Sequence, residues 1–170
     1  MNPTARNPTL QAISDWLEST RLSDWFIEQG YWSWPMAESL HFMGLCLLIG
    51  SVGLVDLRML GMAKGIPLKA IHRLIPFGVA GFLINVSTGT LFVFGDADQY
   101  IFNDAFRFKL LFLLVAGTNV LFFYSTVFEQ ARALGPNADM PPKVKLMAAV
   151  SLLCWIGVIT CGRLITFYRP

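Results

Sequence analysis

Four stretches of the chain are apolar almost throughout, approximately Met36 to Leu57, Leu68 to Phe94, Asn103 to Phe128 and Val144 to Tyr168. Each is long enough to supply the roughly 20 residues a helix needs to cross hydrocarbon. The pattern ahead of the first stretch is different. Leu10, Ile13 and Leu17, then Leu22, Trp25 and Phe26, recur at helical spacing, with Asp15, Glu18, Asp24 and Glu28 between them. That alternation predicts one or two amphipathic helices lying at a membrane interface. Asn7-Pro8 supplies a cap and a proline at the first helical position. Trp16, Trp25, Tyr31, Trp32 and Trp34 add the aromatic belt expected at a membrane surface. The chain therefore reads as all-α: a four-transmembrane-helix bundle over residues 36–170, preceded by an N-terminal interfacial amphipathic segment over residues 1–35.

The span limits carry their own chemistry. Pro35, Pro67 and the Pro141-Pro142 pair stand near the starts of spans one, two and four, where a missing N–H matters least. Asn103 or Asp104 can cap span three, and Gly135-Pro136-Asn137 breaks the chain in the third loop. Gly44, Gly50, Gly53, Gly78, Gly81, Gly89, Ala116, Gly117 and Gly157 are small enough to let helices approach closely. No basic region leading into a short apolar core is visible, so the first span is expected to act as its own insertion signal.

Composition agrees with this picture. Of 170 residues, 55% are hydrophobic and 14% charged, against about a quarter charged in soluble domains. A net charge of +2 gives no reason to expect nucleic acid. Cys46, Cys154 and Cys161 all lie in apolar runs without CxxC or CxxCH spacing, which argues against zinc, a redox dithiol or covalent c-type haem. Charge also orients the chain. Arg58, Lys64, Lys69 and Arg73 lie in or beside the first loop, and Arg132, Lys143 and Lys145 in or beside the third, whereas the second holds Asp96 and Asp98 and no cation. Cationic loops stay in the cytoplasm. The expectation is a multi-pass protein of a bacterial inner membrane with both termini periplasmic.

Helical rise of about 1.5 Å per residue then assigns depths. Glu38 and His41 on span one, Asn85, Ser87 and Thr88 on span two, Arg107 and Lys109 on span three and Arg163 on span four all fall in the outer half. The inner side carries Asp56, Arg58, His72, Arg73 and Asn119. Lys109 and Arg163 have stems long enough to snorkel to the interface, and Glu38 could pair with either and lock the bundle. His41 is short and sits in the run Leu40-His41-Phe42-Met43-Gly44. An ionisable side chain at such a place ordinarily faces the bundle interior and marks a site. A neutral imidazole beside cations suits b-type haem, with His41 as the metal ligand and Lys109 and Arg163 at the propionates. Glu38, Asn85 and Thr88 complete the set. A quinone or phosphate headgroup would suit the same residues.

Leu40-His41 followed by Gly50, Asp56-Leu57-Arg58 and Leu60 resembles the first helix of the HemJ-type membrane protoporphyrinogen oxidases, and Phe108-Lys109-Leu110-Leu111 resembles their lysine-bearing helix. Lys109 with Asn119 is similar to membrane domains of copper-resistance D-type proteins. The chain also resembles four-span bacterial proteins with a Glu-x-x-His opening and an Asp-Leu-Arg closing the first helix. The resemblance covers mainly spans one and three. It implies a four-helix bundle, haem binding, and His41 with Lys109 as the functional pair. Asp56 stands where the oxidases carry proline, and they lack the acidic, aromatic N-terminal segment. The inner end of span one lies about 25 Å from His41 at helical rise, and His72 sits near that opposite face, so the two do not ligate one haem. One expectation is thus a haem b redox protein passing electrons between a periplasmic partner and quinone. The alternative is a non-redox membrane subunit, an anchor or assembly partner in an oligomer or larger complex. Soft ligands form no ladder along one face, which leaves copper transport the weakest reading.

Overall fold

A computed structural model describes residues 6–62, 64–135 and 137–168. Helix α1 runs Pro8–Glu18, with the Asn7 side chain accepting from the Thr9 N–H at 2.9 Å and Pro8 in the first turn. Helix α2, Arg21–Glu28, is capped by Thr20. A 3₁₀ turn over Gly30–Trp32 leads into the long α3, Ser33–Leu60. Gly61 ends α3 at φ +95°, letting its N–H and that of Met62 return to the carbonyls of Arg58 and Leu57.

The predicted second span is broken near its start. It begins as α4, Leu68–Ile71, passes through a 3₁₀ turn at His72–Leu74, and only then becomes α5, Ile75–Gly95. Pro76 has no N–H to give to the His72 carbonyl, so the α-helical ladder is interrupted just ahead of it, and the proline stands in the first turn of α5 where the missing N–H costs least. Helix α6, Ala97–Ile101, forms the second loop. Helix α7, Asp104–Thr126, starts at Asn103, whose side chain accepts from the Ala105 N–H at 3.0 Å. Helix α8, Phe128–Ala133, follows, and α9 covers Pro142–Leu164. Four helical segments, Gly30–Leu60, Leu68–Gly95, Asp104–Thr126 and Pro142–Leu164, are long and apolar enough to cross a membrane.

Packing is uneven around the bundle. α3 lies along α5, α7 along α9, and α3 against α9, while α5 and α7 scarcely touch. The two tight seams rest on glycine. A Cβ on Gly44 would stand 2.7 Å from Asn85 Nδ2, and one on Gly81 would run into the Gly44 carbonyl, so α3 and α5 meet backbone to backbone. A Cβ on Gly157 would stand 2.7 Å from the Phe112 ring, which seals α9 against α7. Outward-facing Leu114, Leu121 and Leu153 are 67%, 72% and 66% exposed, the surface that a bilayer covers.

Helices α1 and α2, the second loop and the residues just after α9 share one end. Ser14 Oγ donates to Asp98 at 2.6 Å, pinning α1 to α6. Phe26 of α2 packs on Trp34, which stacks on Phe92 at 5.5 Å. The amides of Gln99 and Asn103 donate to the Ile165 carbonyl at 2.6 and 3.1 Å, tying down the chain beyond α9. At the other end the first and third loops meet: the Asn137 N–H donates to the Lys64 carbonyl at 2.8 Å, and Asp139 bridges Lys64 and Lys145 at 2.7 and 3.1 Å.

Candidate functional site

Polar side chains gather inside the bundle at two depths. In the half nearer the termini, α3 presents His41 to α5. Its Nδ1 lies 2.7 Å from Thr88 Oγ1, and that hydroxyl lies 2.7 Å from the Ile84 carbonyl. A hydroxyl has one proton to give. With that proton on the Ile84 carbonyl, Thr88 must accept from His41, which assigns the hydrogen to Nδ1 and leaves a lone pair on Nε2. The ring tilts on Phe92 at 5.5 Å and runs along the bare face of Gly89.

The other residues expected at this depth divide. The Lys109 ammonium is within electrostatic reach of His41, but that end of the side chain, Nζ and Cε, lies against Gly162 of α9 and near Cys161. Asn85 donates back to the Gly81 carbonyl of its own helix at 2.8 Å and packs on Gly44, joining α3 to α5. Arg163 is exposed, its guanidinium 5.1 Å above the Phe167 ring. Glu38 is exposed too, and faces α6. There burial, then the charges of Asp96 and Glu38, push the Tyr100 phenol up to about 12. His41, Thr88 and Lys109 thus share a region, whereas Arg163 and Glu38 lie outside it. Residue counting assigns depth, but rotation about each helix axis decides which groups meet.

Haem asks for a free imidazole nitrogen, a flat slot beside it and cations at the propionate edge. His41 Nε2 meets the first demand. The slot is missing as these helices pack: α3 and α5 are in backbone contact within a turn of His41, and the cavity between the four spans does not reach that ring. Arg163 is turned away. Among the described residues no three His, Cys, Asp or Glu side chains come close enough to share a metal ion.

The second cluster lies toward the first and third loops. There the gap between α5 and α7 leaves a cavity of about 380 Å³ walled by all four spans. Val79 and Phe82 of α5 and Val120 and Tyr124 of α7 line it and are themselves exposed, so the cavity opens sideways between those helices. Its walls are apolar apart from a few groups. Asp56, only 3% exposed, stands beside the Ser151 hydroxyl, and its Oδ2 has no hydrogen-bond partner among the described residues. Trp155, 7% exposed, has a buried Nε1–H that is likewise unpartnered. Asn119 donates to the Met147 carbonyl at 3.0 Å. A buried polar atom left unsatisfied costs about 1–3 kcal/mol, and such atoms call for an explanation. At the mouth of the cavity His72 Nε2 meets the Tyr124 hydroxyl at 2.9 Å and its ring packs on Phe128.

In sequence, Asp56 and Asn119 belong to the sparser inner polar set, while Ser151 and Trp155 do not stand out. An acid near the end of an apolar run was the available signal; the orphaned indole N–H left none.

Fold and sites together define a small, all-α, multi-pass membrane protein built as a four-helix bundle. The chain belongs to a family of unknown function, DUF6644, whose profile matches residues 15–168. No curated protein and no solved structure matches the chain.

Proposed function

We propose that this protein binds a lipophilic small molecule drawn from the bilayer into the cavity between its four spans. The observation that carries the reading is the pairing of lateral opening with two orphaned polar atoms, Asp56 Oδ2 and Trp155 Nε1, on one apolar cavity. A volume near 380 Å³ falls in the range of small-molecule sites. The apolar body of a ligand would replace lipid, and its polar group would satisfy atoms that the protein leaves unpaired. We further propose a bacterial inner-membrane location with the α1, α6 and C-terminal end periplasmic, which the cationic first and third loops support.

The test is saturable binding of a neutral fluorescent lipophile, N-phenyl-1-naphthylamine, to protein in lipid nanodiscs. Gly117 lines the cavity, and a Cβ there meets nothing within 4 Å. Gly117→Phe should therefore occupy the space and reduce saturable binding at least tenfold. Equal saturable binding by both proteins, or none by the native one, removes the reading.

A second reading rests on the free Nε2 of His41 and requires α3 and α5 to part beside that ring: a b-type haem redox protein exchanging electrons with a periplasmic partner or quinone. His41 would be the ligand and Thr88 would orient it, the role that outer-sphere partners play for ligating histidines. Protein made with ample haem should then show a Soret band that His41→Ala abolishes and His72→Ala leaves intact. A colourless preparation ends this reading.

A further inference from the structure

We propose that the cavity's ligand is a lipophilic cation, an amine or onium ion, which Asp56 binds in exchange for a proton. The inference rests on the reading that the cavity takes a lipophile, and goes on to name its class.

The cavity wall contains Asp56 and no Lys, Arg or His. Each element packed around that carboxyl leaves it without a cation. On α3, the fully buried Arg58 lies two residues on and so points to another side of the helix and off the cavity wall; there its Nε donates to the Ile66 carbonyl at 2.7 Å, while Nη1 and Nη2 have no hydrogen-bond partner among the described residues. On α5 the wall holds only apolar residues; His72 precedes the helix and is engaged with Tyr124. On α7 the titratable group is that Tyr124 hydroxyl. On α9 there are the Ser151 hydroxyl and the buried Cys154 thiol, while Lys145 is held by Asp139 at 3.1 Å.

A lone carboxylate in hydrocarbon is too costly to persist, so the empty site holds the neutral acid. When a cation arrives, the O–H bond of Asp56 breaks and the proton leaves to water at the end where the first and third loops meet. The carboxylate so formed pairs with the incoming charge. Charge at the site is conserved and no electrons move. Phe82, Phe123, Tyr124 and Trp155 line the same cavity, and aromatic rings attract an onium group. An anion finds no countercharge here. A quinone would instead need the acid in its protonated, donating form, so raising the pH would weaken its binding. For a cation, raising the pH tightens binding, because the competing proton is removed.

The sign of that pH dependence is the test. Tetraphenylphosphonium binding to the full chain in detergent is measured by equilibrium dialysis at pH 6, 7 and 8. N-phenyl-1-naphthylamine serves as the neutral probe in parallel. Affinity for the cation should rise toward about tenfold per pH unit while the acid is protonated, since one proton is released per cation bound. A weakly buffered indicator dye should register that proton. Asp56→Asn should keep the neutral probe, which shows the bundle intact, yet lose the pH dependence and most of the cation affinity. Ser151→Ala should retain the pH dependence. Saturable neutral binding with cation binding absent, pH-independent or weakened by rising pH overturns the cation inference and leaves the cavity reading standing. Failure of both probes overturns both.

Discussion

At the scale of single residues, this chain works through what is absent as much as through what is present. Gly81 and Gly50 look alike in sequence, each a glycine in an apolar run. Only Gly81 faces another backbone, where a methyl group has no flexible neighbour to displace; Gly50 has nothing within 4 Å of a Cβ. Gly81→Ala should therefore destabilise the bundle by about 1–3 kcal/mol through overpacking. Gly50→Ala should be neutral or gain some of the roughly 1 kcal/mol by which alanine is the better helix former. Reversible denaturation in mixed micelles compares them, and equal stabilities would contradict the backbone contact between α3 and α5. His41 gives a second prediction at this scale. Thr88 cannot donate twice, so the neutral ring should carry its proton on Nδ1. Nitrogen NMR of histidine-labelled protein should show that tautomer, and Thr88→Val should release it to a mixture. An Nε2-protonated ring in the native protein contradicts the hydrogen-bond assignment.

At the scale of elements, the four spans and both amphipathic helices were legible because their signals are local. Apolar length gives a span, Asn7-Pro8 and Asn103 give starts, and alternating acids give α1 and α2. The break at Pro76 was legible in principle, yet the apolar run from Leu68 to Phe94 concealed it, since hydropathy is blind to a missing N–H. Rotation about the helix axes was not legible. In a soluble helix the apolar stripe marks the inward face, but here lipid-facing and bundle-facing positions are both apolar. That is why His41 turns to Thr88 while Arg163 turns out onto Phe167, and why a cavity around Asp56 and Trp155 had no pattern to announce it. The α1–α6 contact carries a pH prediction. The Ser14 hydroxyl, then Arg6 and Gln11, hold the Asp98 carboxyl below its ordinary value of 3.8. A carboxyl with a depressed folded value stabilises docking fully above its unfolded value and loses that contribution as pH falls through the folded one. Amide exchange in α1 should therefore be constant from pH 8 to 5, after correction for intrinsic rates, and quicken in acid below about 4. Asp98→Asn should be faster at neutral pH and lack the acid step. An acid step that persists in Asp98→Asn would assign it to another group.

For the whole molecule, the two ends of the bundle differ in a way that predicts its placement. One end gathers α1, α2, α6 and the residues after α9 around Asp98, Gln99 and Asn103. The other gathers Lys64, Lys69, Arg73, Arg132, Lys143 and Lys145 about two converging loops, where Asp139 neutralises only part of the charge. Because the structure ties α1 and the residues after α9 to the second loop, sidedness reduces to one choice for the whole bundle, and the cationic end should face the cytoplasm. Tyr31, 98% exposed beside α3, and the exposed Lys69 report the two ends. With Cys46, Cys154 and Cys161 replaced by alanine, Tyr31→Cys should react with a membrane-impermeant maleimide in intact cells. Lys69→Cys should react only after the membrane is opened. The reverse pattern would put the mouth beside His72 and Tyr124 on the periplasmic side. The proton displaced from Asp56 would then leave to the opposite compartment from the one assigned here. Labelling at both positions in intact cells would instead mean mixed insertion, which the charge difference between the ends argues against. The same two variants, read in proteoliposomes of known sidedness, would fix the side from which a lipophilic cation exchanges with that proton.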